Sequence, residues 1–66
     1  MSDHGDQLKA AQEALQRGNF AGGLARAETL LAHDPKNGDA LYVAAVAARY
    51  LDRNDAARSF LDRLHA

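Results

Sequence analysis

Three histidines, His4, His33 and His65, and two serines, Ser2 and Ser59, are the side chains here whose chemistry suits metal binding or nucleophilic attack. No two of the histidines share the i, i+4 relation of a helical metal site, and no carboxylate–histidine motif accompanies them. Neither serine stands in a glycine elbow. There is no glycine-rich phosphate loop, and no cysteine to supply a thiolate. His33 and His65 fall in the last turns of expected helices, where a cationic side chain favours the negative end of the helix dipole. These residues predict no catalytic centre, no metal and no cofactor: the chain alone is not expected to be an enzyme. A different pattern stands out. Tyr42, Val46 and Tyr50 recur at i, i+4 and i+8, one stripe of a helix, with Arg49 beside them.

The element that carries this stripe must be built first. Ala40 to Ala48 is a run of nine apolar residues. At a helical pitch it covers every face of about two and a half turns. A helix that is apolar all round is normally buried on most sides. The run therefore predicts a central helix, about Asp39 to Leu51, that the other elements cover.

Those elements are legible from spacing and punctuation. Leu8, Ala11 and Leu15, with Ala10 and Ala14, mark a first helix from about Asp3 or Asp6 to Arg17, capped by Ser2, Asp3 or Asp6. Gly18-Asn19 then supplies a left-handed residue to end it and a cap for the next. Leu24, Ala27, Leu30 and Leu31 form the apolar side of a second helix, Phe20 to His33. Gly22-Gly23 near its start reads either as a loose first turn or as close backbone approach to a neighbouring helix. Asp34-Pro35-Lys36-Asn37-Gly38 is the strongest break in the chain, and Asn37 or Asp39 caps the third helix. Asp52-Arg53-Asn54-Asp55 makes the last turn, with Asn54 or Asp55 as cap. The fourth helix runs to about His65 with Ala57, Phe60, Leu61 and Leu64 inward. No stretch alternates as a strand does, so the expected class is all-α.

Length and charge bound the rest. Sixty-six residues make one small domain. Such a chain has little core to offset the entropy of ordering, and without disulfides its support must come from a second chain, a longer parent protein or very good helix packing. Eight Lys+Arg against nine Asp+Glu give a net charge of −1, with no basic stripe for a nucleic-acid backbone. The longest apolar run is about half of a membrane span, and the start of the chain has no signal-peptide pattern. The expectation is a cytoplasmic protein that binds neither nucleic acid nor membrane.

Four helices of similar length raise the question of an internal repeat. Offsets of 33 and 34 match about equally well by identity because the chain is rich in alanine, so the turns must decide. Gly18-Asn19-Phe20, the closing segment Leu30-Leu31-Ala32-His33-Asp34-Pro35-Lys36-Asn37, Ala10-Ala11 and Gly23 together resemble a tetratricopeptide repeat. That unit is a 34-residue helix-turn-helix ending in proline. Ala44-Ala45, Ala57, Leu61 and Leu64 occupy the corresponding sites of a second unit. The departures are Gln7 and Leu41 in place of an early aromatic, Asp52 in place of the turn glycine, and no second closing proline. A plain four-helix bundle is the competing fold. The run from Asp39 through Tyr50-Leu51 is also similar to repeats that precede the catalytic domain of bacterial repeat-containing sulfotransferases.

The resemblance implies two stacked helical hairpins, a right-handed superhelical fragment, with repeat one at about 4–37 and repeat two at about 38–66. It also implies a concave groove lined by the first helix of each unit. The groove positions are Leu8, Gln12, Leu15 and Gln16, then Tyr42, Val46, Arg49 and Tyr50. As a groove the stripe would hold a partner helix or extended peptide with Arg49 anchoring an anion. Otherwise it packs in a core or against another copy. The lysines and asparagines of a carboxylate clamp are missing, with Leu8, Gln12, Tyr42, Val43 and Val46 in their places. Repeat arrays generally need about three units and a polar end. Phe60, Leu61 and Leu64 are therefore expected to form a self-association face, closed in a homodimer or covered by a continuing chain. The functional expectation is a non-catalytic protein-protein interaction module for a peptide or protein partner. The alternatives are the N-terminal part of a larger enzyme such as a sulfotransferase, or a small secretion-type chaperone or regulator.

Overall fold

The computed structural model describes residues 3–65, the side chains of Asp3 and His4 excepted. Ser2 and its expected cap, His4 as a side chain, and Ala66 lie outside the described residues. Four helices follow one another: α1 (Asp3–Gln16), α2 (Phe20–His33), α3 (Gly38–Tyr50) and α4 (Asn54–His65). There is no strand among the described residues. Each helix packs on its neighbour in the chain, and α3 also touches α1. The Cα trace spans 34 × 28 × 14 Å, a slab so thin that much of every helix lies near a surface.

Local chemistry sets the ends. Asn19 accepts a hydrogen bond from the Gly22 amide at 3.0 Å, and Asn37 accepts one from the Ala40 amide at 3.1 Å, each satisfying an orphan donor of a first turn. A methyl at Gly22 would run into the Asn19 side chain, so this glycine makes room for the cap. At Gly23 the reason is close approach: an added Cβ would lie 3.0 Å from Leu15 Cδ2 and 3.3 Å from the carbonyl oxygen of Ala11. The two glycines thus have different causes. Asp3, Asp6, Asn54 and Asp55, expected as caps, all fall within helices, Asp3 being the first residue of α1. Asp6 lies a turn inside α1, and Asn54 is already the first helical residue of α4, which places Asp55 in its first turn.

The turns decide the repeat offset. Gly18 takes φ +79° and Asp52 takes φ +63°. The Asn19 amide donates to the Ala14 carbonyl at 2.8 Å, and the Arg53 amide donates to the Ala48 carbonyl at 2.8 Å. Gly23 to Asn19 and Ala57 to Arg53 repeat the pattern at 3.0 Å each. All of these pairs are offset by 34, and none by 33.

Alanines supply nine of the fourteen buried apolar residues among those described. Leu30 and Leu41 are the largest fully buried side chains. Such a core works by bringing helix backbones close rather than by filling space with large groups. α3 is central as its composition predicts, but it is not covered on every side. Ala40, Leu41, Val43, Ala44, Ala45, Ala47 and Ala48 are buried, whereas Tyr42, Arg49 and Tyr50 are exposed and Val46 is half-buried. The thin slab leaves this one stripe open.

Candidate functional site

The open stripe of α3 and the facing side of α4 enclose a groove of about 620 Å³. Ala45 and Ala57 line it, and Tyr42, Val46, Arg49 and Leu61 give it apolar walls and a cationic rim. Tyr42, Tyr50 and Leu61 are the exposed large hydrophobics of the described residues, at 59%, 67% and 38% of full exposure. Two of the three, Tyr42 and Leu61, line this one groove. Arg58, Asp62 and His65 extend it along α4 at helical spacing. The surface is therefore apolar along its middle and charged along its α4 side.

The expected groove residues divide into two groups. Tyr42, Val46, Arg49 and Tyr50 come together, and with Asp52 they also form a second, neighbouring depression. Tyr50 carries a further contact, its ring stacking on Phe20 with centroids 4.4 Å apart and planes 6° from parallel. On α1, Leu8 and Leu15 are half-buried against the core, while Gln12 and Gln16 are exposed. None of these four lines either depression.

Phe60, Leu61 and Leu64 also part company. Phe60 and Leu64 are half-buried and pack on the core. Phe60 shares a shallow recess with Glu28, Leu31 and Ala32 of α2. Arg63 beside it donates to the Pro35 carbonyl oxygen at 3.1 Å and ties α4 to the turn between the hairpins. Leu61 points the other way, into the α3/α4 groove. Positions 60 and 61 differ by about 100° around a helix, enough to separate them. Arg58 and Asp62 are left out of the site by sequence reasoning, and His65 is taken there only as a last-turn cation, not as a groove residue. The signal was present in their spacing from Leu61 and in their offset of 34 from Leu24, Glu28 and Leu31.

His33 and His65 lie in the last turns of α2 and α4. Among the described residues, no group of three or more His, Cys, Asp or Glu side chains is arranged to hold a metal ion. Ser59 is exposed on α4. No helix of the described residues is long and apolar enough to cross a membrane.

Four helices in two hairpins, closed by turns that repeat at 34 residues, define a helical-repeat protein of the kind that presents grooves to other chains. A family model described as tetratricopeptide repeat matches residues 14–66, and the chain belongs to that family. Neither the curated proteins nor the solved structures gave a match. The likeness to sulfotransferase repeats has no support among these findings.

Proposed function

We propose that this chain is a non-catalytic protein-interaction module that binds a helical or extended segment of another protein in the α3/α4 groove, and that it self-associates. The family suggests protein partners and is generally non-catalytic. The observation that carries the reading is the meeting of Tyr42 and Leu61, two exposed large apolar side chains, in one groove with Arg49 on its rim. Large apolar groups gathered on a surface and rimmed by polar ones are the usual mark of an interaction site. Arg49 serves as the anchor for an acidic group of the partner. The absence of cysteine accords with a reducing, cytoplasmic setting.

The test is panning of a random peptide display library against the dilute chain, followed by rebinding to a Val46→Asp variant of unchanged helical content. The expected result is a set of related peptides with apolar residues at helical or alternating spacing that lose binding to the variant. A library that yields no enriched peptides, or peptides indifferent to Val46→Asp, overturns the reading.

A further inference from the structure

The two ends of the slab differ in a coordinated way. Within the chain, the second hairpin seats α3 on the first. Ala40, Ala44 and Ala47 are buried there, together with Leu24, Ala27 and Leu31 of α2. α2 and α3 are joined by a short turn at 34–37 and pack against each other, so they run antiparallel and residues equidistant from the turn meet. Ala47 then lies toward Leu24, Ala44 toward Ala27, and Ala40 toward Leu31.

At the outer ends the same positions, displaced by 34, carry other residues. On α1 they are Glu13, Ala10 and Asp6, with Glu13 and Asp6 exposed and Ala10 half-buried. On α4 they are Arg58, Leu61 and His65, all exposed. Docking one end on the other in the geometry used inside the chain sets Glu13 against Arg58, Ala10 against Leu61 and Asp6 against His65. Phe60 obeys the same rule. It sits beside Glu28, so its counterpart Arg26 would sit beside Asp62, the counterpart of Glu28. Where the buried joint pairs apolar with apolar three times and Phe60 with Glu28, the outer ends pair acid with base twice, small with large once, and acid with imidazole once. Lys9, in place of Val43, falls by the same rule opposite Asp62, which stands in place of Glu28. Opposite charges at equivalent positions favour this register over the reversed one.

We infer that the occupant of the α3/α4 groove is α1 of a second copy of this chain, docked head to tail as α3 docks on the first hairpin. The inference rests on the reading of that groove as the interaction site and names its partner. The contact is heterologous: the head of one copy meets the tail of the next, and the pairing leaves a free end of each kind. Association therefore proceeds beyond a dimer as concentration rises.

Single-cysteine variants test the geometry, because the chain has no cysteine of its own. Ala10→Cys and Leu61→Cys, mixed under mild oxidation, are expected to give one cross-linked species containing one chain of each. Either variant alone is expected to stay uncross-linked at the same concentration. A dominant Leu61→Cys homodimer, or no cross-link at any concentration, overturns the inference.

Charge reversal supplies a second readout by sedimentation. Glu13→Arg and Arg58→Glu are each expected to weaken association about tenfold (about 1.4 kcal/mol). Their equimolar mixture is expected to recover it. The arginine introduced in one variant then meets the glutamate introduced in the other across half of the joints, and the native pair remains at the rest. A mixture no better than its components overturns the inference. If the chain stays monomeric while displayed peptides still require Val46, the second copy is ruled out and the groove stands. If both measurements fail, the groove reading falls as well.

Discussion

Asp52 holds in the second hairpin the left-handed backbone that Gly18 holds in the first, at φ +63° against +79°, with the next amide in each case bonded at 2.8 Å to the alanine carbonyl five residues back. The turn geometry is thus the same with and without the glycine. It is dictated by the closing of the helix and not by the residue that happens to be there. An L side chain in this region is strained, less for aspartate than for most, and an acid at a helix C-terminus opposes the dipole.

Replacing that residue should therefore stabilise the fold. Asp52→Gly is expected to raise unfolding free energy by about 0.5–1 kcal/mol, the relief of strain and of charge outweighing the added freedom of the unfolded chain. Gly18→Ala, which meets no neighbouring atom within 4 Å but keeps the left-handed backbone, should lower it by about 1–2 kcal/mol. Urea unfolding followed by circular dichroism reads both. Small effects at both sites would show that the left-handed backbone of these turns carries little strain for an L residue.

The adjacent glycines of α2 should respond in different ways to one substitution. Gly22→Ala gains about 1 kcal/mol of helix propensity and displaces the Asn19 cap, a loss of about the same size, for a net change near zero. Gly23→Ala pushes a methyl against Leu15 and the backbone of Ala11. Overpacking of that kind costs about 1–3 kcal/mol, which over most of that range outweighs the propensity gain. Chemical denaturation of the two variants side by side should separate them by about 1 kcal/mol, with Gly23→Ala the less stable.

Local signals made most of the fold legible in the sequence. Helix type, order and three of the turns come from Leu, Ala, Gly, Asn and Pro spacing, because each signal acts within a few residues. The bounds of α2 agree with expectation at both ends, and Asn19 and Asn37 cap as expected. Gly23 shows the limit, since the atoms that demand a glycine there belong to α1 and come close only after folding. The same reason hid the site. Leu8 and Tyr42 occupy equivalent repeat positions, yet one packs on the core and the other stays open, because only the first hairpin has another stacked upon it. Which of Phe60, Leu61 and Leu64 faces out likewise depends on where α2 lies.

The Phe20–Tyr50 stack is the one aromatic pair, among the described residues, that joins the start of α2 to the end of α3. A parallel pair at this separation contributes about 0.5–1.5 kcal/mol beyond area burial. Phe20→Ala, Tyr50→Ala and the double variant should give a coupling energy in that range in a double-mutant cycle. Tyr50→Phe should retain nearly all of it, since the rings and not the hydroxyl make the contact. Additive single effects would show that the two rings act independently, and would return Tyr50 to the set of side chains available to a partner.

Association and stability should be linked, because a chain of this size has little to spare. At about 0.05–0.15 kcal/mol per residue the isolated fold is worth on the order of 3–10 kcal/mol. Any contact made only by folded copies adds to this by mass action. The midpoint of thermal unfolding is thus expected to rise with protein concentration. The rise should shrink in high salt, since charge pairs at exposed ends are screened within a few ångströms at molar ionic strength. Leu61→Arg places a long cation where Ala10 of the next copy would sit and should abolish the concentration dependence. It should leave the dilute-limit midpoint nearly unchanged, because Leu61 is already 38% exposed and makes little of the chain's own core. A midpoint that is independent of concentration in the unmodified chain would mean that the ends stay apart. The opposed charges on them would then serve only to keep each end wet.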